Sequence, residues 1–279
     1  MERKEFINSK GEQFSYLSNE SDQNDVNFVF FHATGFNAQT YELLLEALNK
    51  KCNSKINLYA FDQRGHGFSQ ARSVPSELNS WSVFLEDGLE FIDSLSGKII
   101  CSGHSMGSII AQQLALRHPD KVKSAVLMCT WSRCDRYAVS VFEHMMNAKA
   151  RLKPEEFMKF VQLLIFTKPF WDNDDCYQGI VDGQNDAKLG AAPQPVHSME
   201  AQASACINHD VYADLPQIKS PCLVIGGKDD IFTPAWMSEE TAEAIPNSDL
   251  HLYDGAGHAF HWEKLDDFNP RVRDWLKAN

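Results

Sequence analysis

The sequence predicts an α/β fold with a mostly parallel central sheet and helices on both of its faces. Three observations carry that prediction. First, the apolar run Lys98-Ile99-Ile100-Cys101 leads into Gly103-His104-Ser105-Met106-Gly107 and then into Ser108-Ile109-Ile110-Ala111, a strand, a tight turn and a helix around one serine. Second, Met106, Ile109, Ile110 and Leu114 recur at i, i+3, i+4 and i+8, and Pro119 closes that helix behind Arg117 and His118. Third, the following run Ala125-Val126-Leu127-Met128-Cys129 has no helical face and reads as a buried parallel strand, which completes a βαβ unit.

The remaining elements follow the same logic. Residues 5–8, 13–17, 27–31 and 56–61 read as short strands, the last two strongly apolar and each followed by a polar turn with glycine. Between them lie helical stretches. Residues 40–50 place Leu43, Leu44 and Leu48 on one face, and 81–95 place Phe84, Leu85, Leu89 and Ile92 on another. Past the serine turn, 221–225 is a strand, and Thr233-Pro234 supplies an N-cap and a first-turn proline for a helix through 245. Residues 250–253 form the last strand and 268–276 the closing helix. Residues 131–212 interrupt this alternation with amphipathic helices, for example Phe157, Phe160, Val161 and Leu164 at i, i+3, i+4 and i+7, and with the loop Ala191-Ala192-Pro193-Gln194-Pro195. The expected organisation is one core from 1–130 and 213–279, with 131–212 inserted as a helical cap.

Composition narrows the function. With 279 residues the chain can bury a large core, and its formal charge of −12, from 26 Lys+Arg against 38 Asp+Glu, repels phosphate backbones and anionic membrane surfaces. Nucleic acid and membrane are therefore not expected partners. The N-terminus Met1-Glu2-Arg3-Lys4-Glu5-Phe6 lacks the apolar region of a signal peptide, and a cytoplasmic monomer or homodimer is expected. The 7 cysteines contain no C-x-x-C pair and several stand within apolar runs, so they are expected to be free.

Candidate chemistry centres on Ser105. A serine hydroxyl is a weak nucleophile at neutral pH and needs a base within hydrogen-bond reach, with a carboxylate behind it to fix the imidazole tautomer. Both residue types occur downstream. Asp229 and Asp230 follow the 221–225 strand, and His258, in Gly255-Ala256-Gly257-His258, follows the 250–253 strand. Either aspartate could be the acid on these grounds. Ligands in open parallel sheets bind at the C-terminal ends of strands, where each of these groups falls. His258 and His261 also form an H-x-x-H pair, but no third metal ligand has a plausible spacing, and a structural His261 is the expectation.

At this point the chain resembles the α/β-hydrolases. The order Ser105, Asp230, His258 is similar to theirs, and the likeness extends to His32-Ala33-Thr34-Gly35-Phe36, to Asp62-Gln63-Arg64-Gly65-His66-Gly67-Phe68-Ser69, and to Gly257-His258 through Trp262-Glu263. It covers nearly the whole chain. The resemblance implies that Gly103 and Gly107 flank a nucleophile elbow and that Asp230, through the pattern Gly227-x-x-Asp-x-x-x-Pro234, is the triad acid. It further implies an oxyanion hole from the backbone N–H of Met106 and of either Thr34 or, with a shift of two, Phe36. Asp62, Arg64, His66 and His104 are expected to shape the loops beneath the site. Gln202-Ala203 with His209-Asp210 looks like the serine esterase, enol-lactonase and carbon–carbon-bond-hydrolase branch. An aspartate nucleophile, as in dehalogenases and epoxide hydrolases, is excluded by Ser105.

The expected function is hydrolysis of a carboxylic ester, thioester or lactone, a small-molecule acyl substrate, through an acyl-enzyme and without metal, nucleotide or organic cofactor. Two other readings stay open: a carbon–carbon bond hydrolase with the same triad, and a non-enzymatic small-molecule receptor that keeps the pocket. Trp131, Phe166, Phe170 and Trp171 are expected either to form the core of the inserted helices or to line an acyl pocket.

Overall fold

Eight strands hydrogen-bond into one sheet in the order β1-β2-β4-β3-β5-β6-β7-β8. They are β1 (Glu2–Ile7), β2 (Gln13–Ser18), β3 (Val26–Phe31), β4 (Asn57–Phe61), β5 (Lys98–His104), β6 (Val122–Met128), β7 (Cys222–Gly227) and β8 (Ser248–Tyr253). The computed structural model describes residues 1–53, 55–69, 81–189 and 194–279, with only the backbone of 185–189. The pairs β1–β2 and β2–β4 are antiparallel, and every other neighbouring pair is parallel. The mostly parallel sheet expected from the sequence is thus present, with an antiparallel edge.

Both faces are covered, as a parallel sheet requires. The period of two along β3 divides its residues between two cores: Val29 and Phe31 pack with Phe61, Phe91 and Ile110, whereas Phe28 and Phe30 pack with Leu44, Leu48 and Val272. The first layer belongs to α2 (Trp81–Asp93) and α3 (Met106–Arg117), the second to α1 (Glu42–Lys51) and α11 (Leu265–Ala278). Leu43, expected on the buried face, is 70% exposed, and Leu45 is buried instead. The reason is phase. Tyr41, Leu44, Leu45 and Leu48, at i, i+3, i+4 and i+7, form the buried stripe, which leaves Leu43 on the outer face, after a 3-10 turn over Ala38–Tyr41 capped by the Asn37 side chain on Thr40 N–H at 3.2 Å.

Between β6 and β7 the described residues form α4 (Arg136–Arg151), α5 (Pro154–Ile165), α6 (Lys168–Trp171), α7 (Asp174–Leu189) and α8 (Val196–Ile207), followed by a 3-10 helix over Tyr212–Gln217. The expected loop residues Ala191, Ala192 and Pro193 lie outside the described residues. Two remaining helices, α9 (Ala235–Ala244) and α10 (Phe260–Glu263), flank β8. Thr233 does not cap α9; Pro234 takes the N-cap position and Thr233 turns its hydroxyl inward. The closing helix begins a turn earlier than expected, at Leu265. All seven cysteines are free. Among the described residues, no helix is long and apolar enough to cross a membrane.

Candidate active site

Ser105 stands between β5 and α3 with φ 53° and ψ −120°, a left-handed conformation that a side chain adopts only under constraint. The constraint is backbone packing. A Cβ on Gly103 would lie 2.2 Å from the Gly107 carbonyl carbon, and one on Gly107 would lie 1.9 Å from the Phe31 carbonyl oxygen. Strand, helix and the end of β3 therefore meet at distances that only glycine allows. The turn is pinned further by Ser105 N–H donating to Met128 O at 2.8 Å.

The loops after β7 and β8 meet beside it. A Cβ on Gly227 would sit 2.2 Å from Ala256 O, so these two backbones also touch, and Asp229 N–H donates to Ala256 O at 2.9 Å. Asp229 itself is exposed. Asp230, 5% exposed, turns inward and accepts from His258 Nδ1 at 2.8 Å through Oδ2, His258 being 3% exposed. The carboxylate is held by three more donors: Phe232 N–H at 2.7 Å and Thr233 N–H at 2.9 Å on Oδ1, and the Thr233 hydroxyl at 3.0 Å on Oδ2. Thr233 Oγ1 is also 3.1 Å from His258 Nδ1. Because the carboxylate accepts at Nδ1, that nitrogen carries the proton and Nε2 is left as the basic position.

The His258 turn is anchored from several sides. His104, next to Ser105 in the chain, has Nε2 at 2.9 Å from His258 O and Nδ1 at 2.8 Å from the Tyr41 hydroxyl. Glu263 accepts from Gly257 N–H at 2.5 Å and from the Thr167 N–H and hydroxyl at 2.7 and 2.8 Å, and Ala259 N–H donates to Ile165 O at 2.9 Å. These bonds tie the α5–α6 turn to the His258 turn. Among the described residues no hydrogen bond joins Ser105 Oγ to His258, whose partners are Asp230, Thr233, His104 and Cys129; catalytic contacts of this kind commonly form only when substrate is bound.

Among the described residues, the N–H groups of Thr34 and Met106 have no recorded acceptor, whereas Phe36 N–H donates to Ala33 O at 3.2 Å. Of the two alternatives for the first donor, Phe36 is thus occupied and Thr34 is free. Gly35 N–H, between them, donates to Gln202 Oε1 at 3.4 Å.

The polar residues beneath the site are buried and mutually bonded. Asp62 accepts from Ala38 N–H at 2.8 Å, Phe68 N–H at 3.1 Å and Arg3 at 3.0 Å, and Arg64 forks onto Asp87 and Glu12. His66 Nδ1 accepts from the Gln202 side chain at 2.9 Å. Burial pushes His66 and His104 well below the ordinary histidine range and His261 down to about 3, so all three are neutral at pH 7. His104, Cys129 and His258 bring ligand-capable atoms within 4.8 Å of one another. They are a poor cation site, because both His104 nitrogens and His258 Nδ1 already have protein partners and burial pushes the Cys129 thiol well up.

Phe166 and Trp171 line an open cleft of about 560 Å³ with Leu163, Pro169, Asp229, Ile231 and Gly257. Its walls include neighbours of Asp230 and His258. Trp131, by contrast, is 0% exposed between Phe142 at 5.7 Å and His209 at 6.5 Å between ring centres, and it does not line this cleft. Phe170 stacks on Phe166 at 4.7 Å. No sequence pattern announces the contacts of Tyr41, of the Thr233 hydroxyl or of the Glu263 carboxylate, although Thr233 reads as a helix cap and Glu263 falls within the terminal motif.

Comparison with known proteins agrees with this architecture. Residues 22–265 match the family model Hydrolase_4, described as serine aminopeptidase, S33. A relative from Agrobacterium fabrum, RutD, named provisionally as a carbamate hydrolase, is 29% identical over 222 residues, spanning 79% of this chain and 83% of that protein. Among solved structures, MGS-M2, an α/β-hydrolase enzyme from a Medee basin deep-sea metagenome library, superposes with a TM-score of 0.83 at 18% identity over 98% of this chain and 97% of its own. The enol-lactonase from Burkholderia xenovorans LB400 gives 0.81 at 20% identity, covering 98% and 100%. At such identities the structural likeness speaks for the fold alone. The family match over most of the chain, joined to the fold, makes this protein an α/β-hydrolase enzyme that belongs to the Hydrolase_4 (serine aminopeptidase, S33) family.

Proposed function

We propose that the chain hydrolyses a carboxylic ester, thioester or lactone with Ser105 as nucleophile, His258 as general base and acid, and Asp230 as the residue that orients His258. Ser105 Oγ attacks the carbonyl while His258 Nε2 takes its proton; the same proton then goes to the leaving group. Water, deprotonated by His258, releases the acyl group from Ser105. The N–H groups of Thr34 and Met106 receive the negative oxygen of each tetrahedral intermediate. Residues 131–212 act as a cap, and Phe166 and Trp171 bound the space for the apolar part of the substrate.

The observation that carries this reading is the 2.8 Å Asp230–His258 contact between two buried side chains, delivered by separate strand ends to the edge that holds Ser105 in its strained turn. The RutD name favours adding a carbamate to the substrate classes, since a carbamate carbonyl is open to the same attack. A fluorophosphonate probe and a panel of 4-nitrophenyl esters, thioesters, lactones and carbamates provide the test. Ser105→Ala is expected to lose labelling and about 10⁶-fold in kcat with its fold retained. Near-normal turnover in that purified variant would overturn the serine mechanism.

A further inference from the structure

Helix α4 presents Ala138, Phe142 and Met145 to the interior, a stripe that continues at Lys149 by the i, i+4 and i+7 spacing from Met145 and Phe142. A lysine thus stands where the pattern calls for an apolar residue. The stripe faces the site: Phe142 meets Phe232 at 5.6 Å between ring centres, and Phe232 meets the His258 ring at 4.7 Å. Lys149 lies about 10 Å farther along the same face, from seven residues at the helical rise. Its ammonium sits 4.8 Å above the centre of the Phe157 ring, and Phe157 Cε1 lies 3.9 Å from where a Cβ of Gly35 would be. Gly35 adjoins Thr34, one of the two unpartnered N–H donors.

This ammonium is placed unlike the surface lysines that pair with carboxylates. Exposed lysines such as Lys10 and Lys228 reach carboxylates, Glu86 and Asp254, at 3.1 and 2.8 Å. Half-buried Lys149 has no carboxylate partner among the described residues, and burial lowers its pKa. Among the described residues, His66 Nε2 is likewise buried without a partner. A half-buried charge without a counter-ion is costly, and an arriving anion would relieve that cost while gaining a charge-assisted hydrogen bond. In a chain of net charge −12, long-range steering disfavours an anion, so its capture requires a local cation of this kind.

We propose that Lys149 binds a carboxylate of the substrate, so that the favoured substrate is an ester, thioester or lactone bearing an acid group a few carbons from the scissile carbonyl. This rests on the reading of Ser105 as nucleophile at the neighbouring site. Phe157 orients the amine by its ring face, and the oxyanion loop and Lys149 hold the two ends of the acyl part.

Two measurements test it. In the first, kcat/KM is compared for mono-4-nitrophenyl glutarate and for neutral 4-nitrophenyl pentanoate. The wild type is expected to prefer the anionic ester, and Lys149→Met is expected to lower the anionic-to-neutral ratio at least tenfold, chiefly through KM, while Lys149→Arg keeps most of it. Equal losses on both esters in Lys149→Met would overturn the proposal. In the second, titration calorimetry follows sodium glutarate, which has no bond to cleave, against neutral glutaramide. Glutarate binding that Lys149→Met abolishes and Lys149→Arg retains supports the proposal; no glutarate binding to the wild type, or unchanged binding in Lys149→Met, overturns it. Should neither ester be turned over, the Ser105 reading is what fails, and the calorimetry decides the role of Lys149 alone.

Discussion

Adjacent residues in the loop after β7 have opposite fates. Asp230 is buried with four hydrogen-bond donors on its carboxylate, one of them His258, while Asp229 is exposed and contributes its backbone N–H to Ala256 O. Asp230→Asn would offer an amide where the imidazole needs an acceptor, favouring the tautomer with Nδ1 unprotonated. Its kcat is expected to fall by up to about 10⁴-fold, whereas Asp229→Asn falls less than tenfold. Steady-state kinetics on purified, folded variants checks this, and the reverse ranking would make Asp229 the acid. Ser105 and His258 stand out in the sequence because each follows an apolar strand, whereas strand position left Asp229 and Asp230 equal and only the resemblance through Gly227-x-x-Asp-x-x-x-Pro234 favoured Asp230. Thr233 was not legible. A threonine before Pro234 reads as a helix cap, and only the closed loop reveals that its hydroxyl serves the Asp230–His258 pair. His66 and Gln202 are 136 residues apart, and Tyr41 and His104 are 63 apart, so no local pattern announces either pairing.

At the scale of elements, strands were readable from continuous apolar runs, because a parallel sheet covered on both sides leaves them no polar face. Helix phase was harder to read. In α1 the buried stripe runs Tyr41, Leu44, Leu45 and Leu48, and it becomes readable only when Tyr41, which precedes the helix, is counted as its first member. The aromatics between β6 and β7 illustrate the same limit, since an apolar side chain looks alike in sequence whether it fills a core or lines a cleft. The structure separates them: Trp131 is fully buried against Phe142, while Phe166 and Trp171 wall the cleft beside Asp229 and Gly257. Trp131→Ala is therefore expected to cost about 3–5 kcal/mol of stability, seen as an earlier urea midpoint, by opening a void. Phe166→Ala and Trp171→Ala should instead alter the preference among esters of graded chain length with smaller stability losses. Proportional losses on short and long esters would make those two side chains packing as well.

Across the whole molecule, the burial that builds the site also sets its response to acid. His32, His66, His104, His209 and His261 all have lowered pKa values, with burial as the first cause, and for His209 and His261 the value is about 3. Above the ordinary histidine value of about 6.5, folded and unfolded chains both hold these rings neutral, and the stability is fully present. Below it, the unfolded chain takes up protons that the fold refuses, and stability falls by up to about 1.4 kcal/mol per pH unit for each group until the pH reaches that group's own folded-state value. His209 and His261, held near 3, together contribute about 3 kcal/mol per unit once the unfolded rings are protonated, and His32, His66 and His104 act in the same direction. Asp87 acts in the opposite direction: burial, outweighing its bond to Arg64, raises its carboxyl to about 6, so the fold gains a proton there first as pH drops. One carboxyl offsets only part of the effect of five rings. For a domain with about 5–15 kcal/mol of stability, such a loss makes the fold markedly weaker at pH 5 than at pH 7.5. Urea midpoints measured from pH 7.5 to 5 are expected to decline steeply, and a flat or rising profile would contradict the argument. His261→Phe removes one refused proton, so its stability should decline less steeply, by about 1.4 kcal/mol per pH unit, than that of the parent chain.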